Sequence, residues 1–317
     1  PMTTIQEVLF EVETDYYGHP YYVSGHALYT ALARRLDSGA GRALSVSNGM
    51  FLPGEYGKVV GTGGESLYAT SLEPVETYDD LFQFRDAAHR WLLDSRPRDA
   101  HNTLDLQSHG GRLTCSPTCR FGKPPENHYT KRTVTWHVHC YIHSQGDGVV
   151  PLSESVLDGL RVGGGRNYGF GELGCKDTHT VDVESLDYSR IRNWDGDHYE
   201  IELLSPYVLR SEHPDGDEQS VPWWWDCSQT LRRRHEQLVV SEDIYQLQTI
   251  DHGQRVTYTG DDPVSTAQNG IQRVGTHSKF GFGEFRLRPA SDDRVTWSDE
   301  ISSLHRSESS QSGEAEP

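Results

Sequence analysis

Two glycine-rich segments hold the residues best suited to bind a charged ligand. The first runs from Arg161 to Gly174 and the second from Arg273 to Leu287. Each passes from glycine through a basic residue to an aromatic residue, and then reads Gly-Phe-Gly-Glu. Two copies of one motif in a single chain indicate a duplicated module. The candidate binding residues are Gly163, Gly164, Gly165, Arg166, Tyr168, Gly169 and Gly171 in the first segment, and Gly275, His277, Lys279, Phe280, Gly281 and Gly283 in the second.

These segments predict phosphate-binding loops. Glycine adopts positive φ angles and lets the backbone approach a ligand, so that several N–H groups can face one phosphate. Arg166 and Lys279 would add positive charge. Neither segment is a dinucleotide-binding or Walker loop, because no aliphatic strand leads into it, no long helical pattern follows, and no Gly-Lys-Ser or Gly-Lys-Thr ends it. The alternative is that both are hairpins whose glycines serve only tight turns.

Two cysteines and two histidines are candidates for a metal site. Cys115 and Cys119 lie in a Cys-Ser-Pro-Thr-Cys segment, and His137 and His139 alternate on an expected strand, so that they share one face. Two Cys and two His can complete a tetrahedral zinc site. The histidines are too close in sequence for a zinc-finger helix, and free thiols beside exposed histidines are the alternative. We therefore expect no cofactor, with zinc left open.

A basic cluster and a run of tryptophans are further candidates for contact with nucleic acid. The cluster is one of the few dense positive stretches of an acidic chain, and its members are Arg232, Arg233 and Arg234. On a helix they would present a patch to phosphates, whereas a solvated surface cluster is the alternative. The tryptophans at 223–225 could stack on bases or anchor a core, but three in a row cannot all face inward.

The chain is strongly acidic. It has 317 residues, a formal net charge of -18 at pH 7 and a sequence pI of about 5.2, and lysine is scarce beside arginine. An acidic, lysine-poor surface is typical of halophilic proteins, which carboxylates keep soluble in a high-salt cytoplasm. In an ordinary cell this charge would argue against nucleic-acid binding, but in a halophile only local basic clusters count. High salt weakens counterion release, so stacking and hydrogen bonds must contribute more.

The apolar and cysteine content bears on where the protein works. No run approaches the roughly 18 apolar residues of a transmembrane helix, so we expect no membrane partner. The opening segment lacks the basic region and long apolar run of a secretory signal. Five cysteines, an odd number, then favour a reducing compartment. We therefore expect a cytoplasmic location.

The elements that would position these residues follow from apolar periodicity. Residues 5–13 read as a first strand, residues 24–37 as a helix capped by Ser24, and residues 78–95 as a second helix. Residues 132–144 read as a strand, after which a short helix leads into the first glycine segment and a strand leaves it. This order predicts an α+β sandwich with helices on one face of an antiparallel sheet, in the ferredoxin-like plan.

The second half opens with a strand and closes with the second glycine segment and another strand. At 317 residues the chain has room for two domains. We predict a first domain over residues 1–190, with a long insert at 96–131, and a second domain over residues 191–297. Residues 298–317 are polar and acidic, and we expect a disordered tail there.

Four segments resemble the CRISPR-associated RAMP superfamily, whose members carry a loop of the form G-x-basic-x-x-G-F-G near a domain end. They are the two glycine loops, the helix SGHALYTALARRL and the segment IELLSPYVLRSE. The resemblance implies an α+β chain of tandem ferredoxin-like (RRM-like) domains with glycine-rich loops. It also implies RNA binding.

Members of this superfamily do one of two jobs. Some hold processed guide RNA (crRNA) without cleaving it, inside an effector complex for antiviral defence. Others are metal-independent endoribonucleases that process repeat RNA, and the resemblance to these makes His26 a candidate general acid or base. Tyr29, about one helical turn on, could assist. The alternative for His26 is a surface histidine or one that only contacts RNA.

Two glycine loops in one chain favour guide-RNA binding without cleavage. Guide-RNA-binding subunits carry a strong loop in the first domain, whereas the nucleases usually carry one only in the second. We therefore expect a non-catalytic, guide-RNA-binding subunit, with guide RNA and other effector subunits as partners. A protein-only scaffold whose glycine loops are structural turns is the third alternative.

Overall fold

The structure is a computed structural model that describes residues 3–19, 22–53, 59–60, 66–67, 71–95, 106–109, 112–115, 118–121, 132–145, 148–216, 218–226, 230–240 and 243–290. Within these ranges the fold is α+β, with mainly antiparallel strands and few, short helices. The α+β prediction is therefore confirmed. None of the helices in these ranges is long and apolar enough to cross a membrane.

The first half of the chain contains thirteen strands and four helices among the residues described. The strands are β1 Thr4–Val12, β2 Tyr16–Tyr17, β3 Tyr22–Val23, β4 Leu44–Val46, β5 Gly49–Pro53, β6 Val59–Val60, β7 Ser66–Leu67, β8 Leu106–His109, β9 Arg112–Cys115, β10 Thr118–Phe121, β11 Arg132–Ser144, β12 Leu160–Arg161 and β13 Glu172–Asp182. The helices are α1 Gly25–Ala33, α2 Ser38–Ala43, α3 Gln83–Ser95 and α4 Glu154–Leu157.

The second half adds seven strands and two helices within the described ranges. The strands are β14 Tyr199–Leu203, β15 Tyr207–Ser211, β16 Trp225–Asp226, β17 Arg233–Val240, β18 Asp243–Ile250, β19 Arg255–Tyr258 and β20 Phe285–Pro289. The helices are α5 Ser189–Arg192 and α6 Pro263–Gln272.

The first sheet is centred on β1, which pairs antiparallel with β11 on one side and β13 on the other. β5 continues the sheet beyond β11, also antiparallel. The order of these four strands across the sheet is therefore β13-β1-β11-β5. Their order along the chain is β1, β5, β11, β13, so the strands read fourth, first, third and second across the sheet.

Alternate residues of β1 face opposite sides of the sheet and enter two different cores. Val8 and Phe10 pack with Leu28 of α1 and Leu157 of α4 in the first core. Ile5 packs on the other side with residues of the second half, such as Leu287. The first sheet is thus covered by α1 and α4 on one face, and by α3 together with the second half of the chain on the other.

The second sheet repeats the strand order of the first. Its order is β16-β19-β14-β20, and every neighbouring pair is antiparallel. The connections differ, however, because a separate three-stranded sheet takes β15 from the connection after the first strand, β14, and takes β17 and β18 from the connection after β16. The ferredoxin-like plan has a helix after the first strand, so the tandem ferredoxin-like arrangement stays a prediction.

Some element boundaries differ from the expected ones. The helix expected over residues 24–37 ends at Ala33, because Asp37 caps a new helix by accepting the N–H groups of Gly39 and Ala40. The helix expected over 78–95 begins with a 3₁₀ turn, Asp79–Phe82, before α3. Its apolar residues in the described part are buried in two cores.

The domain boundaries stay predictions. The second core draws residues from both halves, since Tyr141 and Val181 pack with Ile201 and Phe285. Much of the expected insert at 96–131, and the whole tail at 298–317, lie outside the described residues.

Candidate functional site

The two glycine loops share a backbone conformation from the 3₁₀ turn onward, although they differ just before it, where Gly165 has φ 68° and His277 has φ -110°. Each contains a three-residue 3₁₀ turn, Arg166–Tyr168 in the first and Ser278–Phe280 in the second. The turn is followed by a left-handed glycine, with φ 90° and ψ 8° at Gly169 and φ 92° and ψ 5° at Gly281. The repeat seen in the sequence is therefore also a repeat in three dimensions.

Several N–H groups that could have cradled a phosphate are used within the protein. Gly164 donates to the carbonyl of Tyr17 over 2.7 Å, and Gly171 donates to Asp15 over 2.8 Å. In the second loop, Gly283 donates to Pro206 over 2.9 Å. These glycines shape the loops, so a ligand would depend mainly on the side chains around them.

The first loop holds its side chains out to solvent. Tyr168 is 87% exposed, although the loop that carries it is anchored by stacking of Phe170 on Tyr17, with ring centroids 6.3 Å apart. Arg166 is partly exposed and forms no ion pair with any residue that the structure describes. Both residues were predicted as binding residues, and the structure places them together on one exposed turn.

The second loop is buried for most of its length. Phe280 is 3% exposed and packs edge-on against Tyr29 of α1, with ring centroids 5.1 Å apart. Lys279 lies 3.6 Å from Asp215 and over the Phe280 ring. His277 is buried and lies 2.8 Å from the hydroxyl of Ser211. These side chains are therefore engaged with the protein, unlike Arg166 and Tyr168 of the first loop.

The N-terminus of α1 explains why the second loop is buried. A Cβ atom on Gly25 would lie 2.5 Å from the carbonyl oxygen of Phe280 and 2.7 Å from the Cα of Gly281. Only glycine permits such an approach. The close approach brings His26 and Tyr29 of this helix, which belongs to the first half, next to the loop of the second half.

His26 sits in a confined environment on α1. Its Nε2 lies 3.2 Å from the hydroxyl of Ser24, so that hydroxyl does not cap the helix. Its Nδ1 is buried and has no hydrogen-bond partner in the described part of the chain. Burial lowers the pKa of His26 to about 4, so the ring is neutral at pH 7.

A buried polar network joins the second loop to both halves. Glu284, which ends the second Gly-Phe-Gly-Glu motif, accepts the Nε–H of Arg85 on α3 over 2.6 Å. Arg85 also donates to Nδ1 of His139 over 3.0 Å, and His139 donates from Nε2 to Glu7 over 2.6 Å. Although burial raises the pKa of Glu7, hydrogen bonds from His139 and His179 lower it to about 2. No pattern in the sequence pointed to Arg85.

The metal candidates are only partly described. His137 and His139 share one face of β11, as expected, and both are buried. Both ring nitrogens of His139 are already engaged by Arg85 and Glu7. The side chains of Cys115 and Cys119 lie outside the described residues, so the zinc hypothesis stays a prediction.

The arginine cluster lies at the start of a strand rather than on a helix. Arg232 lies 2.6 Å and Arg234 3.8 Å from Asp251, while Arg233 begins β17 and is exposed. The tryptophans divide as expected, since Trp223 is 76% exposed and Trp225 is buried. RNA contact by either set stays a prediction.

Among known proteins, no protein-family model matches the chain, and no curated protein matches it. A solved RAMP protein that binds different RNA substrates is similar over 90% of this chain and 100% of its own, with 9% identity and a TM-score of 0.43. A Cas6-related protein from Pyrococcus furiosus covers 92% of this chain and 100% of its own, with 9% identity and a TM-score of 0.37. A CRISPR-associated protein Cas6 does so with 14% identity and a TM-score of 0.36. Solved structures similar to this chain thus include RAMP and Cas6 proteins.

Proposed function

We propose that this chain is a non-catalytic subunit of a CRISPR effector complex that binds guide RNA through its first glycine loop, in a high-salt cytoplasm. The observation that carries the proposal is the exposed turn of that loop, where Tyr168 stands out to solvent two residues after Arg166. An exposed aromatic ring on a fixed turn is a stacking platform for an unpaired base. An adjacent guanidinium suits the neighbouring phosphate.

Two further points support RNA as the ligand. The glycine loops resemble in sequence those of the RAMP superfamily, whose members bind RNA. In addition, stacking depends little on ionic strength, which suits a chain whose net charge of -18 disfavours long-range attraction of a polyanion. We also propose that the chain folds as tandem ferredoxin-like domains and that it assembles with other effector subunits.

Tyr168→Ala is expected to weaken RNA binding by about 1–3 kcal/mol, because one base no longer stacks. Tyr168→Phe should bind almost as tightly as the wild type, since the ring face is retained. The measurement is fluorescence anisotropy with labelled guide RNA in molar KCl. Ile244→Ala, which removes another exposed apolar side chain, is the control. Equal affinity of the wild type and Tyr168→Ala would show that the first loop does not hold RNA.

A second candidate function is a metal-independent endoribonuclease. The observation that favours it is the contact of Gly25 with Phe280 and Gly281, which places His26 and Tyr29 beside the second glycine loop. A neutral imidazole can accept the proton of an RNA 2′-hydroxyl as its oxygen attacks the phosphate. A pKa of about 4, however, makes His26 a weak base at neutral pH.

Incubation with labelled repeat RNA in molar KCl and EDTA separates the two functions. We expect the RNA to be bound and to remain intact, both with the wild type and with His26→Ala. Gel electrophoresis of the RNA is the measurement. Site-specific cleavage by the wild type that disappears in His26→Ala would establish the nuclease and refute the non-catalytic proposal.

A further inference from the structure

A cleft of about 420 Å³ opens between the end of α1, β12 and the first glycine loop. Four of its lining residues are arginines, and none is a carboxylate. Asn167, the exposed residue between Arg166 and Tyr168, also lines it. The arginines are Arg34, Arg35, Arg161 and Arg166. In a chain with 47 acidic residues and 29 basic ones, such a concentration of positive charge requires a reason.

Two of the four arginines have structural partners. Arg35 donates to the carbonyl of Val156 over 3.1 Å and also to the carbonyls of Asp158 and Gly159. Arg161 forms an ion pair of 2.9 Å with Glu172. In contrast to Arg161, Arg35 has only neutral carbonyls as partners, so no carboxylate balances its positive charge in the cleft.

The other two arginines have no carboxylate partner among the described residues. Arg34 follows the last turn of α1 and is exposed, and Arg166 begins the 3₁₀ turn of the first loop. They are close enough to repel each other: burial and then the charge of Arg34 lower the pKa of Arg166. Two guanidinium groups that face one cleft without a counter-charge leave a place for an anion.

We infer that this cleft holds a phosphate group of single-stranded RNA between Arg34 and Arg166, while the adjoining base stacks on Tyr168. The inference rests on the proposed function and names the part of the RNA that is bound. Guanidinium groups are suited to phosphate because their N–H groups can form paired hydrogen bonds to its oxygens. The amide of Asn167, between the two contacts, can bond to the ribose or the base edge.

The turn fixes the distance between the phosphate and the base. Gly165 and Gly169 flank it in the left-handed conformation, with φ of 68° and 90°. The Tyr168 N–H donates to Gly165 over 2.8 Å, which closes the turn. The positions of Arg166 and Tyr168 relative to each other are therefore fixed before RNA binds, which reduces the entropic cost of binding.

The test is the salt dependence of RNA affinity. Labelled single-stranded RNA is titrated with the wild type, Arg34→Gln, Arg166→Gln and the double variant over a series of KCl concentrations. For single strands the slope of log K against log salt falls by about 0.7 for each phosphate that the protein no longer neutralises. Because both arginines hold one phosphate, the slope of the double variant should fall by about 0.7 and not by twice that value. Its reduction in affinity should also be smaller than the product of the two single reductions.

A matched control is Arg192→Gln, which removes an exposed arginine at the end of α5, outside the cleft. Its slope and affinity should equal those of the wild type. Arg34→Lys should retain most of the slope, since the charge is kept. Melting temperatures of the Arg34 and Arg166 variants should match that of the wild type, because neither residue pairs with a described side chain.

RNA with a 5′-hydroxyl and RNA with a 5′-phosphate distinguish two sources of the phosphate. Tighter binding of the 5′-phosphorylated RNA that Arg34→Gln abolishes supports a terminal phosphate, and equal binding of both RNAs with a reduced slope supports an internal one. Unchanged slopes in Arg34→Gln and Arg166→Gln, with Tyr168→Ala still impaired, would overturn the cleft while leaving the proposed function intact. Failure of the wild type to bind any RNA would overturn both. Occupation of the cleft by a glutamate-rich peptide that excess RNA does not displace would assign it to a protein partner and overturn the inference.

Discussion

Glu284→Gln will lower the free energy of unfolding by about 3–5 kcal/mol, because it leaves Arg85 as a buried charge without its counter-charge. The side chains of both residues are only 3% exposed, and Glu284 contacts two nitrogens of the guanidinium, at 2.6 and 3.3 Å. The chain supplies its own control at the same position of the first loop. There Glu172 pairs with Arg161 at 2.9 Å, but the two side chains are 29% and 48% exposed.

Glu172→Gln should therefore cost no more than about 1 kcal/mol, the usual value of an exposed ion pair. Denaturant unfolding in high KCl gives both values from one protocol. The double variant Arg85→Met with Glu284→Gln should recover part of the stability, because it removes both charges of this ion pair and leaves neither of them buried alone. Equal destabilisation by Glu284→Gln and Glu172→Gln would show that burial of the ion pair does not increase the cost of removing its carboxylate.

Gly283→Ala is expected to destabilise the protein by about 2–5 kcal/mol. A Cβ at this position would lie 1.9 Å from the carbonyl oxygen of Val274, and φ is +78°. The left-handed conformation costs an alanine about 1–2 kcal/mol, and the backbone overlap adds about 1–3 kcal/mol. Gly171→Ala should behave alike, since its Cβ would lie 1.9 Å from the oxygen of Val162 with φ +73°.

Gly169→Ala is the matched control. Its φ is +90°, but a Cβ there would meet nothing within 4 Å. It should therefore carry only the conformational cost of about 1–2 kcal/mol. Thermal unfolding of the three variants tests the ranking. A Gly169→Ala variant as unstable as Gly283→Ala would show that the overlap with the carbonyl oxygen is relieved at no cost.

The periodic elements could be predicted from the sequence. Strand β1, strand β11 and helix α1 carry apolar residues at regular spacing, and the structure has all three. Helix α6 was missed, although Asp262 caps it by accepting the Ser265 N–H over 3.0 Å. Polar residues and Gly270 fill most of that helix, and its buried apolar residues are only Ala267 and Ile271. Its cap, followed by Pro263 at the first turn, was the one sequence signal for it.

The site was only partly predictable, for a physical reason. The two glycine loops are nearly equivalent in sequence, and both were expected to face a ligand. Tyr168 is exposed, whereas Phe280 is buried against Tyr29. Exposure depends on what packs against a loop, and no local pattern reveals that Gly25 meets Gly281. Likewise, Arg34 reads in sequence as the end of an amphipathic helix, and only the fold sets it beside Arg166.

The ion pairs between α3 and the edge of β20 also bear on how the chain is made. Arg85 meets Glu284, and Asp86 meets Arg286, at sequence separations of 199 and 200 residues. At about 5–20 residues per second, a ribosome would need roughly 10–40 s to synthesise that interval. During that time the apolar residues that β20 covers in the folded protein remain exposed. The charged side chains of α3 would be hydrated at that stage, and hydrated charges beside apolar segments hinder aggregation of the nascent chain. In the finished protein the same side chains form the ion pairs with Glu284 and Arg286.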